Sequence, residues 1–220
     1  MNHQYWHQKW ASDNIGFDQK KPNTLMQRYF PSLNLKPGAR IFVPLCGKSI
    51  DMLWFLKQGY DVIGIELSSV ACEAFFSENN LPVNMTKMGD FDVYTSHNIT
   101  LLAGDFFKLD KQMLGKVDGV YDRASLIALP TTIRQSYALH LSQLLKPGAQ
   151  MLVITTAYDK TTMQGPPFSV DEDEIKHLFS PSFDIQQWYS KPLRDIPAHL
   201  QTKGLLEATE QLYYLRVKEI

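Results

Sequence analysis

The sequence predicts an α/β fold: a doubly wound, mostly parallel sheet of seven strands, closed by a C-terminal antiparallel strand pair and preceded by an N-terminal helical lid. Three observations predict it. Apolar runs of buried-strand length alternate with amphipathic helical stretches, the pattern of right-handed crossovers between parallel strands. Two Lys-Pro-Gly turns, Lys36-Pro37-Gly38 and Lys146-Pro147-Gly148, each open onto such a run. The tail carries two β-prone segments with little helix between them, as an antiparallel pair requires.

Each element follows in order. Residues 2–11 place Tyr5, Trp6 and Trp10 on a short helix, the last two at i, i+4 spacing. Leu25–Leu33 reads as a second helix, with Pro22 near its start and Pro31 breaking its last turn. These first 35 residues form the lid, and 36–220 form the sheet core of a single domain spanning 1–220. Ala39–Leu45 is an apolar strand. Ile50–Gln58 is an amphipathic helix through Met52, Leu53, Phe55 and Leu56, ending at Gly59 as a left-handed cap. Asp61–Glu66 is a strand that ends in an acid, and Ser68–Asn80 is a helix capped by Ser68 or Ser69. Ile99–Ala103 runs into Gly104-Asp105, and Lys116–Asp122 runs into Arg123. The helix Thr131–Leu145 and the strand Ala149–Thr156 follow. Helix Asp171–Phe179 and the strands Phe183–Tyr189 and Glu210–Val217 close the chain.

Composition narrows the function. A chain of 220 residues buries about 70% of its unfolded surface without staples. Lys plus Arg is 22 against 23 for Asp plus Glu, a net charge of −1. That balance removes the counterion-release and lipid-attraction terms, so neither nucleic acid nor a membrane surface is an expected partner. Cys46 and Cys72 make neither a disulfide framework nor a zinc site, and no metal is expected. The first residues lack a basic n-region and an apolar h-region, so the expected location is the cytoplasm. The expected form is a monomer.

In an open α/β sheet, ligands bind outside the carboxyl ends of the strands. That rule nominates Leu45-Cys46-Gly47-Lys48-Ser49, Glu66, Gly104-Asp105-Phe106, Asp122-Arg123 and Thr156-Ala157-Tyr158-Asp159. Gly47-Lys48-Ser49 ends like a P-loop, but the glycine that motif needs five residues before Gly47 is Phe42. The turn also lacks the three glycines of a dinucleotide fingerprint. Pyrophosphate binding is therefore disfavoured. A strand, a one-glycine turn, a helix and a second strand ending in Glu66, 19 residues after Gly47, remain. An acid there can accept from both hydroxyls of a ribose. A nucleoside ligand without pyrophosphate fits, and S-adenosylmethionine is the common cofactor of that description. Asp105 can take an amine of that cofactor.

Taken singly, each group has a structural explanation: a solvated strand-end acid, a helix cap at Asp105, a local Asp122–Arg123 ion pair, core packing for Trp6 and Trp10. Their placement on one predicted edge is what argues for a site. Cys46 reads as a packed turn residue, because only Lys48 stands beside it to lower its pKa.

The run Ile41-Phe42-Val43-Pro44-Leu45-Cys46-Gly47-Lys48-Ser49-Ile50-Asp51-Met52 resembles the altered first motif of thiopurine S-methyltransferases. In that family a Pro-Leu-Cys-Gly turn replaces the Asp-x-Gly-x-Gly of other class I methyltransferases. Further matches are Trp6-His7-Gln8-Lys9-Trp10, Val62–Ser68, Tyr121–Leu129, Gly165–Val170 and Leu212–Leu215, so the resemblance covers essentially the whole chain. It implies the Rossmann-like class I fold and S-adenosylmethionine as cofactor. By the same resemblance Trp10, Leu45, Glu66 and Arg123 are cofactor contacts, with Asp105 and Phe106 flanking the adenine. The substrate pocket is implied to be closed by the N-terminal helix with Trp6 and by the loop carrying Phe168. Arg123 matches a substrate-side arginine by motif, and Arg194, in the divergent segment Lys191–Thr202, is the second candidate.

The implied reaction is in-line displacement of the sulfonium methyl group by the sulfur of a small aromatic or heterocyclic thiol. The leaving group is a neutral thioether and aromatic thiols ionise readily, so orientation dominates, with a ceiling of roughly 7–11 kcal/mol. Arg123 and Asp122 are the candidate catalytic residues, Arg123 biasing the site toward an anionic acceptor and Asp122 holding it. Aromatic walls from Trp6, Trp10 and Phe168 suit a flat acceptor and a sulfonium. The alternatives are another small nucleophile, such as a selenium or tellurium oxyanion, and a non-catalytic S-adenosylmethionine-binding module.

Overall fold

A computed structural model describes residues 3–12, 15, 16 and 18–219. Helix α1 spans His3–Ala11; Asn2, where the expected helix begins, lies outside the described residues. Helix α2 spans Thr24–Tyr29, and the Asn23 side chain accepts from the Met26 N–H at 3.0 Å to cap it. The expected helix over 25–33 is thus split. Its second half, Phe30–Leu33, is a 3-10 turn, because Pro31 has no N–H to continue an α-helical ladder.

The alternating part runs β1 (Arg40–Pro44), α3 (Asp51–Lys57), β2 (Asp61–Glu66), α4 (Ser69–Glu78), β3 (Asn84–Met88), β4 (Phe91–Ser96), β5 (Ile99–Ala103), α5 (Lys111–Leu114) and β6 (Gly119–Arg123). It continues through α6 (Thr131–Leu144), β7 (Gln150–Ala157), α7 (Glu172–Phe179), β8 (Phe183–Pro192), α8 (Ala198–Gln201) and β9 (Thr209–Val217). Among the described residues the sheet order is β3-β4-β5-β2-β1-β6-β7-β9-β8, nine strands instead of the expected seven. Strands β5, β2, β1 and β6 are mutually parallel. The expected antiparallel pair at the carboxyl end is present as β8 and β9, and β9 is also antiparallel to β7.

The two additional strands are β3 and β4. They form a hairpin whose two-residue loop, Gly89-Asp90, lies between the paired Met88 and Phe91. A second two-residue loop joins β4 to β5. Strand β3 is exposed on nearly every residue, so it carries no apolar alternation for the sequence to display. Its only signal is the Gly-Asp turn.

The chain divides into two compact units inside β6, one ending at Tyr121 and the other beginning at Asp122. The amino-terminal unit has an aromatic core: the Phe30 ring lies 4.6 Å from Phe55, and Phe55 lies 5.3 Å from Tyr121. Buried Asp51 ties it together, accepting from the Asn23 N–H at 2.7 Å and the Tyr121 hydroxyl at 2.9 Å. In the carboxyl-terminal unit α6 and α7 bury Tyr137, Leu141, Ile175 and Phe179. Among the described residues no helix is long and apolar enough to cross a membrane.

Candidate active site

The site begins at β1, whose neighbours β2 and β6 are both parallel to it, so strand addition reverses there. Ligands in such sheets bind outside the carboxyl ends of the strands at that reversal. Register brings the nominated residues of the amino-terminal unit level: Pro44 pairs with Ile65, and Glu66 pairs with Ala103. The Cys46 N–H donates to Ile65 O at 2.9 Å, and the Gly104 N–H donates to Glu66 O at 2.8 Å. Leu45, Glu66 and Asp105 therefore leave three adjacent strands at one edge.

The turn after β1 is held in an uncommon backbone shape. Leu45 has φ +46° and Gly47 has φ +53°. A left-handed leucine costs roughly 1–2 kcal/mol and persists only where surrounding contacts fix it. Those contacts centre on Glu66. Its Oε2 accepts the Gly47 N–H at 3.0 Å, and its Oε1 accepts the Ser68 N–H at 2.9 Å. The Leu67 N–H and the Trp10 side chain donate as well. The first-turn amide that would face a phosphate in a P-loop is turned onto a carboxylate instead. Burial pushes the Glu66 carboxyl above its ordinary range, and these four donors pull it back without cancelling the rise.

Trp10, buried on α1, lies over the same turn. A Cβ built on Gly47 would sit 3.0 and 3.2 Å from its Cζ2 and Cη2. A side chain there would press on the indole, and the left-handed φ of Gly47 adds to the cost. Trp6, half-buried, stands edge-on to Tyr5 at 5.1 Å. Asp105 caps the short turn after β5 by accepting the Phe107 N–H at 3.0 Å, and its Oδ2 faces His3 Nε2 at 3.6 Å. Phe106 is buried beside Phe107, whose ring stands edge-on to it at 5.4 Å. The Cys46 thiol is buried and pushed well up, by burial first and then by Cys72 and Glu66, which suits a packing role.

In the carboxyl-terminal unit Asp122 is fully buried. Its Oδ2 accepts the Tyr137 hydroxyl at 2.7 Å and its Oδ1 accepts the Leu126 N–H at 3.1 Å. Burial raises its carboxyl from 3.8 to about 6 against the pull of Tyr137 and of the Leu126 and Ser125 donors. Arg123 follows, half-buried, and Ala124 after it is left-handed at φ +64°. The Arg123 guanidinium holds the Glu210 carboxyl down, while burial pushes it up more strongly. The sequence reading passed over Glu210, which lies in an apolar β-prone stretch with nothing local to mark it. Phe168 is half-buried on a segment whose two proline peptides, Gly165-Pro166 and Pro166-Pro167, are cis; its N–H donates to Ile127 O at 2.7 Å. Arg194 is exposed, in a bend between β8 and α8. Among the described residues no three of His, Cys, Asp and Glu form a group able to hold a metal ion.

A one-glycine turn closed on a buried strand-end acid suits a nucleoside without pyrophosphate, and relatives of the chain agree. A family model described as "Thiopurine S-methyltransferase (TPMT)" matches residues 1–218. A thiopurine S-methyltransferase from Nitrosospira multiformis is 40% identical over 218 residues, covering 99% of each chain. A SAM-dependent methyltransferase from Anabaena variabilis has a similar structure, with a TM-score of 0.68 at 16% identity over 98% of this chain and 95% of its own. So has the 1,6-didemethyltoxoflavin-N1-methyltransferase of Burkholderia thailandensis, solved with S-adenosylhomocysteine bound, with a TM-score of 0.63 at 15% identity over 99% of this chain and 87% of its own. The two solved structures share the fold; the sequence match runs the length of the chain, and by that match the chain belongs to the thiopurine S-methyltransferase family.

Proposed function

We propose that this protein transfers the methyl group of S-adenosylmethionine to the sulfur of a small aromatic or heterocyclic thiol of the thiopurine type. Family membership makes it an S-adenosylmethionine-dependent methyltransferase; the acceptor is the inference. The full-length match to thiopurine S-methyltransferases supports the acceptor, and the Glu66 carboxylate, held by the Gly47 and Ser68 amides at the end of β2 where no phosphate cradle exists, carries the cofactor half. When bound, S-adenosylmethionine supplies an electrophilic methyl group on a sulfonium whose departure leaves a neutral thioether.

The chain's own residues then bind and orient. Glu66 accepts from the ribose hydroxyls, Asp105 takes an amine, and the backbone of Leu45 and Phe106 lines the same edge. A carboxylate offers about four acceptor positions, and Glu66 already receives four donors, so a ribose hydroxyl replaces one of them. The Trp10 indole is the donor best able to leave, because it alone is a side chain. In the other unit Arg123, with Glu210 as its counter-charge, favours the thiolate over the thiol, and Asp122 fixes the turn from which Arg123 projects. Phe168 gives that unit a flat apolar surface and Arg194 supplies a second cation to an anionic acceptor, while Trp6 gives the amino-terminal unit a flat surface of its own.

Isothermal titration of S-adenosylmethionine against wild type and Glu66→Ala tests the cofactor half. Loss of the charge-assisted hydrogen bond to ribose predicts a Kd weakened by about 10- to 100-fold; equal affinity refutes the ribose assignment. A panel of thiophenol, a thiopurine, selenite and tellurite, scored by S-adenosylhomocysteine release, tests the acceptor. Faster turnover of either oxyanion would replace the thiol by that nucleophile, and binding without turnover on any member would make the chain a binding module. Arg123→Ala is expected to lose about tenfold more kcat/KM with an anionic thiol than with a neutral one, and an equal loss refutes its electrostatic part.

A further inference from the structure

Arg134 is the largest buried charged side chain outside the residues already assigned, and it is 1% exposed in the middle of the carboxyl-terminal unit. It leaves α6 and reaches three separate pieces of chain. Its Nε donates to Leu129 O at 2.8 Å, on the segment that follows Arg123. Its Nη1 donates to Ser169 O at 3.3 Å and pairs with Glu174 on α7. Its guanidinium carbon lies 5.6 Å from the centre of the Phe168 ring. Nη2 is buried with no hydrogen-bond partner among the described residues.

That combination is a poor way to gain stability. A buried ion pair roughly breaks even against apolar residues of the same volume, and an unpartnered buried donor adds a cost. What the guanidinium does supply is geometry: a planar fork that fixes directions, and a face that stacks on an aromatic ring. The segment it grips is otherwise held by small polar contacts. The Tyr158 hydroxyl donates to Pro167 O at 2.6 Å, and the Ser169 hydroxyl donates to Tyr158 O at 2.7 Å.

We infer that Arg134, paired with Glu174, is a positioning residue for the methyl acceptor: it holds the Phe168 ring in place through its cation–π contact and by anchoring the carbonyl of the next residue, Ser169. This rests on Phe168 being a wall of the acceptor site, as proposed above. The consequence is selectivity. A flat aromatic thiol gains from a ring held in place, whereas a small aliphatic thiol, which does not stack, gains nothing.

The test compares wild type with Arg134→Met, which keeps an apolar stem of similar length, and Glu174→Gln, which keeps an acceptor and removes the charge. With thiophenol, KM is expected to rise about tenfold in Arg134→Met and about threefold in Glu174→Gln, kcat staying within about twofold. KM for mercaptoethanol and the Kd of S-adenosylmethionine are expected to stay within about twofold of wild type. Hydrogen exchange gives a second readout independent of turnover: the Phe168 amide loses protection while those of Leu141 and Val153 keep theirs. If Arg134→Met does not fold, Glu174→Gln carries both measurements. An equal rise in KM for the two thiols, or unchanged KM with an unchanged Phe168 amide, overturns the positioning role alone. Turnover of neither thiol by wild type overturns the thiol assignment and this inference with it.

Discussion

Among the described residues, β2 and β6 each carry a buried acid at or next to the carboxyl end, and the two acids live differently. Glu66 closes β2 and Asp122 lies one residue before the end of β6. Both sit beside a non-glycine residue forced left-handed, Leu45 in one case and Ala124 in the other. In both, burial lifts the carboxyl and nearby donors pull it back. The difference lies in the donors. Glu66 is held mainly by main-chain amides of its own edge, with one replaceable side chain, Trp10. Asp122 also receives main-chain amides, from Leu126 and Ser125, but its side-chain donors include a tyrosine hydroxyl that is itself fully buried, and no part of the acid reaches solvent. Backbone amides hold both carboxylates in place, and an acid whose remaining donor is a replaceable indole can exchange it when a ligand arrives. A carboxylate locked to a core tyrosine is architecture, and it acts on the reaction only through the turn it stabilises.

The sharpest way to break that contrast is Asp122→Asn. The carboxyl of Asp122 is raised from 3.8 to about 6 in the fold, so the folded state takes up a proton there. Its contribution is fully present below about pH 4 and is lost as pH rises through 6, which amounts to about 2–3 kcal/mol between pH 4 and pH 7. Asparagine does not titrate and can keep both contacts, since the Tyr137 hydroxyl can turn to accept. Urea unfolding should therefore show wild type losing that much stability relative to Asp122→Asn over this span, with S-adenosylmethionine affinity unchanged within about threefold. A parallel pH dependence in the two proteins would mean that the carboxylate is not desolvated.

Tyr137→Phe is the next largest effect. It leaves one carboxylate oxygen of Asp122 short of its strongest donor, at a cost of about 2 kcal/mol at pH 7. The loss should shrink at pH 4, where the carboxyl is neutral, and thermal denaturation at the two pH values reads it directly. Gly47→Ala probes the other acid and is the smallest. The left-handed φ costs about 1 kcal/mol, and the new Cβ presses on the Trp10 indole, so Tm should fall by about 2–4 °C. Because that pressure moves the replaceable donor of Glu66, S-adenosylmethionine affinity should change as well. Unchanged affinity would place Trp10 outside the cofactor site.

Much of this was legible beforehand, and the gaps have physical causes. The parallel strands β1, β2, β5 and β6 are apolar runs buried on both faces, which periodicity detects well. The β3–β4 hairpin escaped because an exposed edge strand needs no apolar face. Glu66 and Arg123 were nominated by position at strand ends, a property of chain order. Arg134 and Glu210 were not nominated, since a buried guanidinium, or a carboxyl that feels the charge of Arg123 from 87 positions away, leaves no local mark.

The sequence by itself determined the alternation of strands and helices, the single-glycine turn, and the motifs that carry the family. These depend on short-range constraints (backbone dihedrals, burial period and turn chemistry), and the turn disfavours a pyrophosphate without excluding one. Only the tertiary structure decided which strand-end acid faces an edge and which is sealed against Tyr137. It alone set Trp10 over Gly47 and Arg134 against Phe168. Those outcomes depend on which side chains meet across elements distant in sequence, and burial and hydrogen-bond saturation are properties of that meeting, not of any residue alone.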